Sequence, residues 1–326
     1  MTTIGLVLGA GGLLGNAFHA GALTALSDEM GWDARSADLI VGTSAGVVTA
    51  AGLRAGLAAE DELARLTGMT PSDTGAELIG RVTTPLHLPP PSEVERPSRT
   101  PASMRLAWEG IRNGRPTKLL SGLVPEGGVS SSSIAARVRQ IHPEFWPETP
   151  TWITAVELAS GDRTVFGRSD DRIHLSAAVQ ASSSIPGYFS PVSLGGRQFV
   201  DGGIHSASNA DLVAGLFFDL VIISSTLSVE GRESPLAKAR DLNRAWHNRV
   251  LGEEVERVRA AGSEVLVLQP TEEDLEVGGG DNMDRARVRD YARQVRSSVR
   301  AQLSRPGSEA QLALLERAAE NSSTID

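Results

Sequence analysis

The sequence predicts an α/β fold built on a mostly parallel β-sheet. Twice within the first 58 residues, a short apolar run leads through a glycine-rich turn into a stretch of helical character. Further apolar runs of strand length recur along the chain between helical segments. Since neighbouring parallel strands are joined by a crossover that is usually a helix, this alternation indicates parallel strands. At 326 residues, the chain is long enough for one large domain with insertions.

The two opening units have the same order of elements. A short continuous apolar run bounded by glycines fits a strand that is covered on both faces. The helical segment after it is rich in small residues, which permits close packing. Strand, turn and helix fall at 4–8, 9–15 and 16–26 in the first unit, and at 38–41, 42–46 and 47–58 in the second.

The rest of the chain alternates less regularly. Residues 67–128 are rich in proline and have few apolar periods apart from 104–111, which is typical of an irregular insertion or a lid. Further helices are predicted at 131–142, 177–184, 253–261 and 285–303 with a short one after Pro306, and strands at 151–157, 163–167, 198–200, 220–224 and 264–268.

Composition excludes several classes of protein. The chain has no cysteine, which removes disulfides, thiolate metal sites and a cysteine nucleophile. A formal net charge of −9 disfavours a nucleic-acid partner, because such proteins need a basic face. The longest apolar stretch, 212–225, contains Asp219 and is shorter than the ~20 residues of a spanning helix. Since the N-terminus also lacks the pattern of a signal peptide, we expect a cytoplasmic protein.

Ser44 is the candidate nucleophile, because residues 42–46 read Gly-Thr-Ser-Ala-Gly. A sharp turn between a strand and a helix lifts the serine hydroxyl into a cleft, and Gly42 and Gly46 permit the strained backbone and the close packing that this requires. The alternative is an ordinary strand-to-helix turn in which the serine caps the helix.

The glycine run at residues 9–15 has two interpretations. Consecutive glycines after a strand expose backbone N–H groups beside a helix N-terminus, where they stabilise negative charge on an acyl oxygen. The alternative is a dinucleotide-binding turn. That motif needs a glycine where this chain has Leu14, and an acidic residue at the end of the second strand, which instead ends in Gly-Thr-Ser.

Asp201 is the candidate general base. It ends the strand predicted at 198–200 and is followed by Gly202 and Gly203, which let the chain turn away at once. A carboxylate in that position accepts a proton from a nearby hydroxyl. The alternative is an Asx turn at the strand end.

Taken together, four ordered blocks resemble the patatin-like phospholipase family. They are the strand at 4–8 with its glycine loop, Gly-Thr-Ser-Ala-Gly at 42–46, Ala-Ser-Ser-Ser-Ile-Pro-Gly-Tyr-Phe-Ser-Pro at 181–191, and Phe-Val-Asp-Gly-Gly at 199–203. The resemblance implies a three-layer α/β/α sandwich with a mostly parallel central sheet. It implies a single domain over residues 1–326, with core motifs in 4–226, the insertion or lid at 67–128, and a helix–strand–helix extension at 230–326.

The resemblance also implies a chemistry. Ser44 is the nucleophile and Asp201 its base in a serine–aspartate dyad, and the N–H groups of Gly11 and Gly12 form the oxyanion hole. Residues 182–191 line the site. The reaction is hydrolysis of lipid carboxylic esters, of phospholipase A or lysophospholipase type, through an acyl-enzyme and without metal or cofactor. The implied partners are a lipid or acyl-ester substrate and, transiently, a membrane surface. Five glycines support the motifs: Gly15, Gly42, Gly46, Gly202 and Gly203.

Two positions depart from the family's usual loop, which reads G-G-G-x-R-G. Ala10 stands in place of the first glycine and Leu14 in place of the arginine. The backbone donors survive both changes because they belong to the main chain. The missing arginine weakens the expectation of a phosphate headgroup more than the expectation of acyl hydrolysis.

Several other residues carry expectations. The histidines include no pair at i, i+4 spacing, so we predict no metal site. His205 is predicted to lie at the rim of the site or to form hydrogen bonds there, and not to be a third triad member. The acidic stretch 272–281 is predicted to be a solvated loop because it lacks EF-hand spacing. Five large apolar residues either form a lid over an acyl chain or pack in the core: Met104, Leu106, Trp108, Trp146 and Trp152.

Two other functions remain open from the sequence. The first is an α/β-hydrolase esterase with a Ser-His-Asp triad, which needs a histidine after the acid; downstream of His205 only His247 is available, within a predicted helix. The second is a ligand-binding α/β module without catalysis that uses the glycine loop.

Overall fold

The computed structural model describes residues 1–84, 101–112, 114–169, 172–230 and 239–323. These residues form an eight-stranded sheet that is flanked by helices on both faces, which confirms the predicted three-layer α/β architecture. The strands are β1 (Ile4–Leu8), β2 (Leu39–Gly42), β3 (Thr151–Glu157), β4 (Arg163–Phe166), β5 (Val192–Leu194), β6 (Arg197–Asp201), β7 (Leu220–Ser224) and β8 (Glu264–Leu268). The helices are α1 (Gly12–Met30), α2 (Ala45–Arg54), α3 (Ala59–Thr67), α4 (Asp73–Thr83), α5 (Met104–Arg112), α6 (Pro116–Leu123), α7 (Ser132–Ile141), α8 (Leu175–Ser182), α9 (Ala239–Ala260), α10 (Glu272–Gly278), α11 (Val288–Leu303) and α12 (Glu309–Ser323).

The sheet is mostly parallel, as predicted. Its strand order is β5-β6-β3-β2-β1-β7-β8, and β4 pairs with β3 as well. Strands β1, β2, β3, β7 and β8 are parallel to their neighbours in this group, whereas β4, β5 and β6 pair in antiparallel fashion. The carboxyl ends of the five parallel strands therefore lie at one edge of the sheet, where ligands bind in folds of this class.

Alternation along each strand places the core on both faces of the sheet. In β1, Ile4, Leu6 and Leu8 pack in the cluster that contains α1 and α11. Val7 faces the other way, into the cluster that contains α9. Because successive side chains point to opposite faces, a strand covered on both sides must be apolar throughout.

Strand β3 brings two other strands end to end. Ile153 pairs with Gly42 of β2 and with Phe166 of β4, while Ala155 pairs with Asp201 of β6 and again with β4. Since β4 occupies one edge of β3, both β2 and β6 lie along the other. Strand β2 is parallel to β3 and β6 is antiparallel, so the two carboxyl ends point toward each other.

The insertion is helical where the structure describes it, so the expectation of an irregular segment over 67–128 was wrong for these residues. Helix α4 begins after Ser72, whose hydroxyl accepts a hydrogen bond from the N–H of Gly75. Helix α6 begins at Pro116, which fits the first turn of a helix. Segment 85–100 lies outside the described residues.

The α5–α6 hairpin, residues 104–123, packs through glycine. A side chain at Gly110 would collide with the backbone of Leu119, and one at Gly122 with the backbone of Ala107. Such contacts between backbones need no long apolar period, which explains why the composition of this segment suggested a loop.

The C-terminal extension holds more helix than predicted: α9, α10, α11 and α12 surround β8. The prediction of a solvated loop at 272–281 was wrong, because Glu272–Gly278 is a helix. Thr271 and Asp274 form a reciprocal capping box at its start, and the Asp274 side chain is buried. Helix α11 then packs against α1, where a side chain at Gly21 would lie 2.6 Å from the carbonyl oxygen of Ala292.

Helix boundaries differ from the prediction for local reasons. Helix α1 begins at Gly12, directly after the glycine turn, and not at residue 16. Helix α2 ends at Arg54 because Gly56 adopts φ +95°, and α3 follows as a separate helix. None of the described helices is long and apolar enough to cross a membrane.

Candidate active site

Ser44 lies in a strained turn between β2 and α2. Its φ of 53° and ψ of −112° are unusual for a residue that is not glycine, and the side chain belongs to a residue only 5% exposed. Its N–H donates a hydrogen bond to Oγ of Ser182 over 3.0 Å. Conformations of this kind cost about 1–3 kcal/mol and persist where the surrounding structure enforces them, commonly at active sites.

Glycines hold this turn against the end of β1. A side chain at Gly46 would collide with the carbonyl of Leu8, and one at Gly42 would lie 3.0 Å from Cα of Val47. The N–H of Gly46 donates to the carbonyl oxygen of Gly9 over 3.2 Å. Gly15 permits α1 to approach α2, since a Cβ there would lie 3.0 Å from Cβ of Ala45. An added side chain at any of these three predicted supporting glycines would therefore contact neighbouring atoms at short range.

Asp201 ends β6 at the point where β6 meets β2. The residue is 5% exposed, and its own N–H donates to the carbonyl oxygen of Ser184 over 3.0 Å. Oδ1 accepts a hydrogen bond from the N–H of Gly203 over 2.7 Å. A side chain at Gly202 would collide with Thr154, and one at Gly203 would lie 3.0 Å from Oδ1 of Asp201. The two glycines thus leave the carboxylate uncrowded.

The Ser44 hydroxyl affects the ionisation of the Asp201 carboxyl. Burial raises the pKa of Asp201 to about 6, and hydrogen bonds from the Ser44 hydroxyl and the Gly203 N–H limit that rise. Loss of hydration disfavours the charged carboxylate, whereas donors stabilise it. A carboxylate with a pKa near 6 is ionised at neutral pH and is a stronger base than a solvated aspartate.

The glycine loop, residues 9–15, lies beside Ser44. Within the described part of the chain, the N–H groups of Gly11 and Gly12 have no hydrogen-bond acceptor. The N–H of Ala45, the first residue of α2, has none there either. These donors lie at or next to the N-termini of α1 and α2, where the helix dipoles add partial positive charge. Gly11 and Gly12 were predicted from the sequence as oxyanion donors. Ala45 was not, although the residue after a nucleophilic serine commonly donates to the oxyanion.

The side chain of His19 holds the start of the glycine loop through a hydrogen bond to Gly9. Its ring is fully buried and lies 2.8 Å from the carbonyl oxygen of Gly9 through Nε2 and 2.7 Å from Oγ of Ser224 through Nδ1. Because a carbonyl only accepts, Nε2 carries the proton and Nδ1 accepts from the serine. Burial lowers the pKa of His19 to about 4, so the ring is neutral at physiological pH.

A buried network of polar side chains lies between the Ser44 turn and the Asp-Gly-Gly turn, and it was not predicted from the sequence. Nδ2 of Asn209 donates to Oγ1 of Thr43 over 3.1 Å and to the carbonyl oxygen of Ser206 over 2.6 Å. Oγ1 of Thr43 in turn lies 2.8 Å from Oγ1 of Thr154. Asn209 adopts φ 55° and is fully buried. Its place a few residues after the Asp-Gly-Gly turn was the available signal.

The C-terminal extension also reaches the glycine loop. The N–H of Leu14 donates to the carbonyl oxygen of Asn282 over 3.0 Å, and a side chain at Gly12 would lie 2.9 Å from Sδ of Met283. The Leu14 side chain is buried in the same cluster as Tyr291 of α11. The Leu14 side chain therefore packs in the core with α11, and the extension contacts the glycine loop through Asn282 and Met283.

The histidines do not approach the Asp201 carboxylate where the structure describes them. His205 is half-buried, so its place at the rim stays a prediction, and burial together with Arg163, Arg115 and Lys118 lowers its pKa to about 3. His247 lies on α9, where burial and Arg244 lower its pKa to about 4. Within the described residues, no group of three or more His, Cys, Asp or Glu side chains is arranged to hold a metal ion.

The large apolar residues divide between the two predicted roles. Leu106 is buried, and Trp146 and Trp152 pack against the core. Met104 is 65% exposed and Trp108 63% exposed, both on α5. Leu106, Trp146 and Trp152 therefore fit the core interpretation, whereas the lid stays a prediction for Met104 and Trp108.

Comparison with known proteins places these features in a family. Residues 6–214 match the patatin-like phospholipase family, and this range includes Ser44, Asp201 and the whole glycine loop. Among solved structures, VipD from Legionella pneumophila is 12% identical, with a TM-score of 0.39, 92% of this chain covered and 67% of VipD. The type III effector protein ExoU is 16% identical with a TM-score of 0.36, and the comparison covers 98% of this chain but 54% of ExoU. The family match spans well over half of the chain, which therefore belongs to the patatin-like phospholipase family.

Proposed function

We propose that the chain is a lipid acyl hydrolase that cleaves carboxylic esters through a Ser44–Asp201 dyad and an acyl-enzyme. Family membership supports the reaction class. The observation that carries the assignment is the convergence of the strained Ser44 turn and the buried Asp201 at the facing carboxyl ends of β2 and β6, where burial raises the pKa of Asp201 to about 6. A phospholipase A or lysophospholipase reaction fits this geometry.

In the first half of the reaction, Oγ of Ser44 attacks the ester carbonyl and Asp201 accepts the hydroxyl proton. The tetrahedral oxyanion is stabilised by the N–H groups of Gly11, Gly12 and Ala45. Asp201 then gives the proton to the departing alcohol, which leaves Ser44 acylated. In the second half, Asp201 takes a proton from water as the water oxygen attacks the acyl carbonyl. The bond between the acyl carbon and Oγ of Ser44 then breaks, Asp201 returns the proton to Oγ, and the fatty acid is released.

The direct test is hydrolysis of p-nitrophenyl esters by the wild type, Ser44→Ala and Asp201→Asn. We expect each substitution to lower kcat by about 10³-fold or more, because the nucleophile and its base act as a unit. The matched controls are Ser297→Ala and Asp290→Asn, on the exposed face of α11. Retention of wild-type rates by Ser44→Ala, with wild-type rates in the controls, would exclude the dyad.

The proposal includes transient contact of the α5–α6 hairpin with a phospholipid surface. Six large apolar side chains, five in the hairpin and one directly after it, are between 38% and 65% exposed: Met104, Trp108, Ile111, Leu120, Leu123 and Val124. Met104, Trp108 and Ile111 recur at intervals that place them on one face of α5. Arg105 and Arg112 are exposed beside them and match the negative charge of anionic lipid headgroups.

The hairpin is anchored next to the proposed base. Oγ1 of Thr117 donates to the carbonyl oxygen of Ile204 over 2.9 Å, and Arg115 donates to the carbonyl oxygen of His205. At its other end, a side chain at Gly187 would lie 2.5 Å from Cγ1 of Val124. The hairpin therefore spans from the Asp-Gly-Gly turn to the 182–191 segment, so docking on lipid would bring the site to the bilayer.

A further inference from the structure

A cavity of about 300 Å³ lies between α1, α2, α3, α4 and α7. It is separate from the contact between Ser44 and Asp201, and nothing in the chemistry described above uses it. Its wall is mostly hydrocarbon, with principal apolar contributions from Leu13, Leu23, Val48, Leu53, Leu57 and Ile134. Pockets of this size bind small molecules or parts of larger ones.

One end of the cavity lies about one helical turn from the proposed active site, although none of the catalytic residues lines it. Val48 lies four residues after Ser44, which corresponds to about 6 Å along α2. Leu13 directly follows Gly12, one of the proposed oxyanion donors. A chain attached to a carbonyl carbon at Ser44 therefore meets the cavity within a few bonds.

The polar side chains in the wall are already paired with protein. Thr49 donates to Oδ1 of Asn16 over 2.8 Å, and Nδ2 of Asn16 donates to Oε1 of Glu62 over 2.8 Å. Glu62 also forms an ion pair with Arg65. Arg137 donates to the carbonyl oxygen of Val82, and Thr83 to that of Ile79. Since these groups are satisfied, a polar headgroup would gain little in the cavity, whereas a hydrocarbon chain would be removed from water.

The length of the cavity sets a limit on that chain. It extends along α1 from Leu13 to Leu23, ten residues that rise about 15 Å in a helix. A fully extended alkyl chain with ordinary C–C bonds advances about 1.25 Å per carbon, so about twelve carbons fill the cavity. We infer that this cavity is the acyl-chain site and that it selects chains of up to about twelve carbons. The assignment of the ligand as an acyl chain of the substrate rests on the proposed function.

Gly52 offers a substitution that fills the cavity without disturbing the fold. It lines the wall on α2, and an added Cβ would meet only Leu57, at 3.5 Å, which is ordinary van der Waals contact. Leucine favours a helix over glycine, so Gly52→Leu should fold at least as well as the wild type. Gly252→Leu is the matched control, because Gly252 lies exposed on α9 with nothing within 4 Å of an added Cβ.

The test measures kcat/KM on p-nitrophenyl esters from acetate to palmitate. The wild type and Gly252→Leu should share a maximum near decanoate or laurate. Gly52→Leu should move that maximum to shorter chains and lower kcat/KM on laurate by about tenfold or more, with butyrate within about twofold. In parallel, calorimetry should show that laurate binds to Ser44→Ala and about tenfold more weakly to Ser44→Ala/Gly52→Leu.

The two readouts separate this inference from the proposed function. Ester hydrolysis with a chain-length profile and a laurate affinity that Gly52→Leu leaves unchanged would overturn the acyl-chain site and leave the dyad standing. Absence of ester hydrolysis, together with laurate binding that Gly52→Leu weakens, would support the site and contradict the proposed function. Absence of laurate binding to Ser44→Ala would overturn the inference in either case.

Discussion

Glycine permits close packing of the backbone both in the turn that carries Ser44 and in the α5–α6 hairpin, but the two regions differ in what this packing achieves. Around Ser44, glycines bring backbone against backbone in a buried place, as at Gly46 against Leu8. In the hairpin, Gly110 and Gly122 also bring two helices together, but the large side chains opposite them point to solvent. The first arrangement fixes the position of a hydroxyl and a carboxylate, whereas the second displays apolar surface.

This difference predicts how substitutions in each region will affect activity. Chemistry at Ser44 depends on positions set to within tenths of an ångström, so small changes there should affect every substrate. Contact with lipid depends on apolar area, so changes in the hairpin should affect only substrates presented in a bilayer. The predictions below test that division.

The largest effect is expected from crowding the glycine loop. A Cβ at Gly11 would collide with Oγ1 of Thr226 and lie 2.8 Å from Cα of Gly15, so Gly11→Ala must displace the proposed oxyanion donors. We expect kcat to fall by about 10²-fold or more on soluble and vesicular substrates alike. Gly252→Ala serves as the control, and a Gly11→Ala enzyme within about twofold of the wild type would show that the loop geometry is not required.

The next effect concerns stability. Leu14→Arg restores the residue usual in the family, but it places a charge where the side chain is 4% exposed in an apolar cluster. We expect the free energy of unfolding to fall by about 3 kcal/mol, and thermal unfolding would measure it. Leu14→Met, which conserves volume, should cost much less. Equal stability of the arginine variant and the wild type would contradict the packing role of the Leu14 side chain in this cluster.

The pH dependence should follow the ionisation of Asp201. Its pKa is raised to about 6, and only the ionised carboxylate accepts a proton from Ser44. On p-nitrophenyl butyrate, kcat/KM should therefore be constant well above pH 6 and fall by about tenfold per pH unit well below it. An acid limb near pH 4 would show that burial does not raise the pKa of this carboxyl.

The smallest effect is expected from the hairpin. Trp108→Gln/Leu120→Gln should lower hydrolysis of anionic phosphatidylglycerol vesicles by severalfold and leave p-nitrophenyl butyrate unchanged, because only the bilayer substrate needs the apolar surface. Phe217→Gln is the control. Phe217 is 79% exposed but precedes the amino end of β7, whereas the active site lies at the carboxyl ends of the parallel strands. A parallel loss on both substrates would assign the hairpin to the fold instead of the lipid contact.

The sequence predicted the parts of the molecule in which backbone geometry demands particular residues. Strands β1, β7 and β8 could be placed because they are largely apolar, and Ser44 and Asp201 because glycines surround them. Their approach follows from the pairing of β2 and β6 along the same edge of β3, which no local pattern reveals.

The remainder escaped prediction for physical reasons. The helices of the insertion are short and join through glycine contacts, so they have no long apolar period. Asn209 acts through hydrogen bonds to Thr43, a residue distant in sequence. The acidic start of α10 resembles a loop in composition, and its capping box was overlooked, whereas the burial of Asp274 depends on α11, where Ser298 donates to its carboxylate.

The most direct test of the dyad is covalent labelling with a long-chain fluorophosphonate, followed by peptide mapping in a mass spectrometer. An activated serine displaces fluoride and becomes phosphonylated, so the account predicts a single adduct on the peptide that contains Ser44. Labelling should be absent from Ser44→Ala and greatly slowed in Asp201→Asn. An adduct on another residue, or an enzyme that hydrolyses esters while Ser44 remains unlabelled, would contradict the account.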